Sequence, residues 1–413
     1  MNRRDFCKTA LNLGLYSVAS SLLPWRAFAD VSTQSSKPQF FILMRFEGGW
    51  DTSLASNPWI AAARPNEKDF FLEYRQDELL RFQNSFAGPA LQPLQNYFDR
   101  MTLVNGIFMS ANDGGHDSSA LYASSGNGQG GLGILPLELE GRVFNSPFGT
   151  LADTPPYAGR QAKAVWDMKN AVSTGPLQGS DLLFDFDTQG TELSRARKAI
   201  LSNVERIALF NKALSEDEKI TSATVISAAF RAGLSSSVYL QSFEGQLDTH
   251  SNHRGSHLKT LSSHFTEVKN ILDKLQRSPG VDQNGGVVES NTLLDQTTVM
   301  IVSEFTRTPA LNTSQGKDHN PQANSTIVIG PGMKPGSFGD TTLVTDAQSV
   351  TGKGYLAGLP WDRNTQQVVQ RRENSMIIRP ENVVATVAKS MGADISAISK
   401  DLAAANILTS ILK

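Results

Sequence analysis

Asp248-Thr249-His250-Ser251-Asn252-His253 puts one carboxylate and two imidazoles within six residues, and His257 and His264 follow. Further on stand Ser303-Glu304, then Arg307, then Gly316-Lys317-Asp318-His319. Five of the six histidines lie between 250 and 319; the sixth, His116, is in the polar run Asn112-Asp113-Gly114-Gly115-His116-Asp117. Neutral imidazole and carboxylate are nitrogen and oxygen donors that suit a divalent metal such as Zn, Mn or Fe. With an open position, such a centre activates water or polarises a phosphoryl oxygen. Asp-x-His and Asp-His are short words that recur by chance. Their order and their placement at strand ends carry the inference.

Residues 39–46 form a continuous apolar run with aromatic and branched side chains, read as a central strand covered on both faces. It ends at Glu47-Gly48-Gly49-Trp50-Asp51, which puts Asp51 at the carboxyl end of the strand, where open α/β sheets place their ligands. Asp51 also fits a cap for a turn beginning at Thr52. A helical stretch over 89–100 leads to a second strand over 101–107, and residues 118–123 read as a short helix ending at Gly126. The start of that helix offers N–H groups to an anion, which makes Ser118 and Ser119 candidates for holding an anionic substrate.

Residues 238–243 form a strand running into Asp248, and 298–302 a buried strand ending at Ser303-Glu304. Residues 324–329 add another. Histidines 250, 253, 257 and 264 are spaced so that a helix would carry all four on one face. His264 fits a histidine on an ordinary polar helix face, and His257 fits either reading. Turn geometry decides whether His250 or His253 partners Asp248. Between about 134 and 235 the pattern predicts a helical excursion beside the sheet, with a strand near 164–167 and a helix started by Ser215-x-x-Glu218. Pro380 opens a helix ending near Gly392, and a last helix runs to about 412.

The N-terminus reads as an address. Asn2-Arg3-Arg4-Asp5-Phe6-Cys7-Lys8 fits the twin-arginine export pattern, a mildly apolar stretch follows, and Ala27-Phe28-Ala29 is an A-x-A cleavage site. A frayed amphipathic N-terminus is the bland alternative. The expected organisation is a signal peptide over 1–29 and one domain over 30–413. The partner in export is the twin-arginine translocase, the destination is periplasmic or otherwise exported, and no permanent membrane span is expected. With 38 basic and 40 acidic residues the chain has no basic excess to hold nucleic acid. Its single cysteine, Cys7, lies in the leader, so disulfides and a cysteine nucleophile are excluded from the exported chain.

Arg3-Arg4-Asp5-Phe6, Asp248-Thr249-His250, Ser303-Glu304-Phe305-x-Arg307-Thr308-Pro309, Asn312 and Gly316-x-Asp318-His319 together resemble a large bacterial family of twin-arginine-exported proteins of unassigned function. That family is related to the alkaline phosphatase and sulfatase superfamily. The resemblance covers nearly the whole chain after the leader. It implies an α/β fold, an alkaline-phosphatase-like three-layer sandwich with a mostly parallel sheet flanked by helices and metals at the carboxyl ends of strands. It also implies metal-ligand roles for Asp51, Asp248 with His250, Glu304 and His319; His253 and Asp318 are further candidate ligands, and Arg307 is a candidate for the substrate site. Thr306, Lys317 and Asn320 depart from the family pattern, which has glycine, threonine and glycine there. The superfamily's nucleophile, a Ser, Thr or Cys, stands three positions before a serine that matches Ser119, with Ser125 and Gly126 nine and ten positions on. That register places His116 at the nucleophile position, as a catalytic residue or a metal ligand.

Two functions follow from the sequence. One is an exported metal-dependent hydrolase acting on a phosphate or sulfate ester, with Asp51, Asp248, His250, Glu304 and His319 holding one or two metals. The other is a catalytically retired relative kept as an exported binding or assembly protein of the cell envelope; the expected partner is a small anionic substrate or an envelope component. A formylglycine sulfatase is excluded by the missing cysteine.

Overall fold

A computed structural model describes residues 39–413 apart from 60–73, 75, 84, 111–114, 128–132, 141, 145, 155–164, 169–203, 283–285, 345–353 and 371–372. The expected leader and much of the excursion lie outside the described residues. Strand β1 (Phe40–Phe46) is buried at every position. Successive strand side chains point to opposite faces, so Phe40, Ile42, Met44 and Phe46 enter one core and Phe41 and Leu43 the other. A strand buried on both sides has no polar alternation to show, which is why it reads as an unbroken apolar run.

Around β1 the described residues build an eight-stranded sheet. Its other members are β2 (Met101–Asn105), β3 (Thr150–Ala152), β4 (Val165–Asp167), β5 (Ser237–Leu240), β6 (Thr297–Ser303), β7 (Ser325–Ile329) and β8 (Gly336–Phe338). The spatial order is β8-β2-β7-β6-β1-β5-β3-β4. All neighbours are parallel except β7, which runs antiparallel to both β6 and β2. One face is covered by α2 (Ser222–Arg231), α3 (His253–Arg277) and the helical stretch Pro89–Arg100; the other by α1 (His116–Ser125) and α4 (Pro380–Ser390). This is the mixed α/β arrangement, a mostly parallel sheet between helical layers, that the sequence led us to expect.

Several boundaries differ from expectation for local reasons. Residues 89–100 wind as a 3-10 helix with Pro93 inside it, where the missing N–H and the ring disfavour an α-helix. Helix α2 starts at Ser222, after Thr221 and Thr224 cap each other, and not at the Ser215 signal. The expected last helix is three short turns, two of them restarted by the side chains of Asp394 and Ser399. Helix α3 begins only at His253, because Asn252 takes a left-handed conformation (φ 48°). His250 is therefore outside the helix, and the four histidines do not share one helical face. His253, His257 and His264 are buried on α3. His264 is a core histidine whose Nε2–H donates to the Glu244 carbonyl, 3.0 Å away, beside the rings of Phe46 and Phe243.

Candidate functional site

The candidate groups converge beyond the carboxyl ends of β1, β2, β5 and β6, the edge at which parallel sheets hold ligands. Ser303, the last residue of β6, donates to the Phe46 carbonyl (2.8 Å) and accepts from the Trp50 N–H (3.1 Å). This ties the loop after β1 to the end of β6. Glu304 follows directly, and its Oε2 accepts the Gly48 N–H at 3.1 Å. Gly48 has φ +94°, and a Cβ there would lie 2.4 Å from the backbone nitrogen of Asp248. Only glycine lets the β1 loop press against the Asp248 segment.

Arg307 and His319 face each other in the short antiparallel pair Thr306–Arg307 and His319–Asn320. The loop before that second strand is zipped to the Asp248 loop. The Lys317 N–H donates to the Thr249 carbonyl (3.0 Å), and the His253 N–H to the Gln315 carbonyl (2.9 Å). Gly316 lies between these bonds, where a Cβ would fall 2.0 Å from the His250 carbonyl oxygen. Gly316→Ala must therefore push the two loops apart. We expect it to cost about 1–3 kcal/mol, the usual penalty of overpacking, read as a lower denaturation midpoint.

Asp248 is the hub of an open cluster. Its Oδ1 lies 2.5 Å from Arg307 Nη2, 3.1 Å from His250 Nε2 and 3.3 Å from His319 Nε2. Its Oδ2 lies 3.6 Å from His116 Nε2. His250 Nε2 and His319 Nε2 are 3.0 Å apart. Ligand atoms of His116, Asp248 and His319 fall within 4.8 Å of one another. Phe305, fully buried, packs its ring against His319 and His116.

Two of these imidazoles also have a carboxylate on their far side. His116 Nδ1 is 2.5 Å from Glu304 Oε2, and His250 Nδ1 is 3.1 Å from Asp318 Oδ1. Each ring thus lies between two carboxylates, and with a cation beside Asp248 it would keep its proton on Nδ1 and present a bare Nε2. Asn312 donates to both Asp318 Oδ1 (3.0 Å) and the His250 carbonyl (3.1 Å), holding that pair in place. Lone pairs from two imidazoles aimed at a carboxylate repel it unless a proton or a cation lies between them. The hydrogen bond to Glu304, against some burial, raises the His116 pKa above the ordinary histidine value. Burial works to raise Asp248, but the Arg307 guanidinium, with help from His250 and His116, holds it below the usual carboxylate range.

Other expected residues sit elsewhere. Asp51 is fully buried and does not join the cluster. Its Oδ1 caps the turn at Thr52 by accepting the N–H and hydroxyl of Ser53 (3.0 and 2.6 Å). Its Oδ2 takes the Lys317 ammonium (2.6 Å) and His253 Nε2 (3.1 Å). Asp51 and His253 are thus matched to protein cations and donors in a buried layer beneath the cluster. Arg307, expected to contact substrate, is also fully buried. It donates to the carbonyls of Gly48, Gly49 and Lys317 as well as to Asp248, and so braces the site from below. Ser119 is buried, with its N–H given to the Gly115 carbonyl; Ser118, exposed, turns its hydroxyl to the same carbonyl. Glu304 and Asp318 stand behind His116 and His250.

Sequence reasoning gave no role to Lys317 or Thr249. Both lie beside expected ligands, and an unexpected lysine in the Asp-His block was the one available signal.

Several solved structures resemble the chain at low sequence identity. They include the lipoteichoic acid synthase LtaP from Listeria monocytogenes (10% identity, 78% of this chain and 72% of that one, TM-score 0.33). A protein in the alkaline phosphatase superfamily from Vibrio parahaemolyticus has 10% identity, 94% and 78% coverage and a TM-score of 0.34. A Bacteroides thetaiotaomicron protein solved in work on the metabolism of multiple glycosaminoglycans has 9% identity, 90% and 75% coverage and a TM-score of 0.37. Residues 287–352 match the family described as "Protein of unknown function (DUF1501)". No curated protein matches the sequence. Among the described residues no helix is long and apolar enough to cross a membrane.

Proposed function

We propose that the chain is a metal-dependent hydrolase of phosphate or sulfate esters, with a divalent ion held by Asp248, His250 and His319 and with His116 as general base. The observation that carries this reading is the convergence of the His250 and His319 Nε2 atoms on one carboxylate oxygen of Asp248, with Asp318 behind His250. His250 Nε2, His319 Nε2 and Asp248 Oδ1 form a triangle with edges of 3.0, 3.1 and 3.3 Å. Tetrahedral ligands around zinc lie roughly 3.3 Å apart, given metal–ligand distances of about 2.0–2.1 Å. Three neutral or anionic donors, one backed by Asp318, fit a Zn, Mn or Fe ion. Such an ion would polarise the ester oxygen.

His116 stands on the other oxygen of Asp248, with Glu304 holding its Nδ1–H. Its Nε2 can take the proton of an attacking water, and Glu304 steadies the imidazolium that results. Export by the twin-arginine route, to meet a small anionic substrate or an envelope component, belongs to the same reading. One observation favours a retired binding protein: Arg307 and Lys317 already offer cations to Asp248 and Asp51.

The test is elemental analysis of the purified protein alongside turnover of nitrophenyl phosphate, bis-nitrophenyl phosphate and nitrophenyl sulfate. About one equivalent of metal is expected. His250→Ala should lose the metal, whereas His116→Ala should keep it and lose turnover. No metal after reconstitution, with no turnover, sinks the hydrolase and leaves the binding protein.

A further inference from the structure

We propose that Thr249 is a positioning residue, the keystone of a closed ring of four hydrogen bonds that holds Asp248 and His250 in place from beneath. The positioning role rests on the reading of those two residues as metal ligands; the ring does not. It runs from the Asp51 N–H to His257 Nε2 (2.9 Å) and from His257 Nδ1 to Thr249 Oγ1 (2.9 Å). It continues from Thr249 Oγ1 to His253 Nδ1 (2.7 Å) and returns from His253 Nε2 to Asp51 Oδ2 (3.1 Å). All four residues are buried, and the two imidazoles stack with centroids 4.4 Å apart.

Asp51 sets the direction of every bond, because it supplies both ends. Its peptide N–H can only donate, so His257 Nε2 must be bare and the neutral ring carries its proton on Nδ1. That proton goes to Thr249 Oγ1. The single hydroxyl proton of Thr249 is then given to His253 Nδ1, a better acceptor than the Leu247 carbonyl at 3.5 Å. His253 is left with its proton on Nε2, and the Asp51 carboxylate, which can only accept, takes it. The two stacked histidines therefore hold opposite tautomers. Burial holds both below the ordinary histidine pKa, consistent with neutral rings.

Thr249 lies between Asp248 and His250 in the chain, and its carbonyl is bound by the Lys317 N–H. Its side chain is anchored in the ring below and its backbone in the neighbouring loop. That leaves the flanking side chains one direction, outward into the cluster. Replacing the hydroxyl with a methyl leaves a bare Nδ1 on one buried ring and an unpaired N–H on the other, each costly to bury without a partner.

The experiment is multiple-bond proton–nitrogen NMR on the full chain labelled at histidine, with resonances assigned from His253→Gln and His257→Gln. The expected spectrum shows one buried imidazole protonated at Nδ1 (His257) and the other at Nε2 (His253). The same tautomer at both sites overturns the ring. Thr249→Val should abolish the opposed pattern and displace the His250 and His319 resonances, while Thr249→Ser restores both. A folded Thr249→Val protein with unmoved His250 and His319 resonances overturns the positioning role, and a variant that fails to fold leaves the wild-type tautomers and the serine rescue to decide. Zinc added to the wild type reports separately on the metal reading. If the His250 and His319 resonances ignore zinc while the opposed tautomers remain, the metal assignment fails and the ring stands.

Discussion

Lys317→Met should destabilise the protein by about 3–5 kcal/mol, the usual loss when one partner of a buried ion pair is removed. Lys317 and Asp51 are both fully buried, with 2.6 Å between ammonium and carboxylate. Methionine keeps the stem's length and apolar character, so the loss isolates the charge. Burial works to raise the Asp51 pKa, but the Lys317 ammonium, aided by His253, holds the carboxyl well below the usual range. Burial lowers Lys317, which is the desolvation cost of the same pair.

The sign of the pH dependence follows. Asp51 is depressed in the folded state, so its contribution is complete above the ordinary carboxylate pKa and is lost only as pH falls through the depressed value. The double variant Lys317→Met with Asp51→Asn leaves neither member of the pair charged and should recover part of the loss. Denaturant titration of the two single variants and the double closes the cycle. Additive losses would show that the pair does not act as an ion pair.

The sheet was legible because its signals are local. An unbroken apolar run marks β1, and the glycines after it mark the loop that reaches the site. The convergence of Asp248, His250 and His319 was legible as a cluster in sequence, since two chain segments carry nearly all of it. What was hidden depends on partners far apart in the chain. Lys317 meets Asp51 across 266 positions, and no pattern around either residue announces that contact. The choice between His250 and His253 turns on one left-handed residue, Asn252, which ends the loop and starts α3 at His253. Arg307 is a candidate substrate contact by sequence; only the carbonyls of Gly48, Gly49 and Lys317 show that its guanidinium is committed inward. Strand ends are local facts, whereas charge partners are tertiary ones.

The largest functional loss should come from Asp248→Ala, and the informative comparison is with Asp318→Asn. Among the described residues Asp248 is the one carboxylate that faces the His116, His250 and His319 imidazoles at once. Removing it takes away the anionic donor and leaves the Arg307 guanidinium, fully buried, without its carboxylate partner. Metal should no longer co-purify, and ester turnover should fall by the several kcal/mol a Lewis acid supplies. At about 1.4 kcal/mol per factor of ten, a loss of about 4 kcal/mol is roughly a thousandfold in rate. Asp318 acts only through His250, whose Nδ1–H it holds, and Asn312 remains to support the loop. Asparagine can turn its carbonyl to the same N–H, so Asp318→Asn should keep the metal but bind it about 10–100-fold less tightly, as outer partners of metal-bound histidines do. Competition against a chelator measures both variants on one scale. Equal losses would move Asp318 into direct contact with the ion. An Asp248→Ala protein that still carries its metal would place the ion away from the triangle of Asp248, His250 and His319.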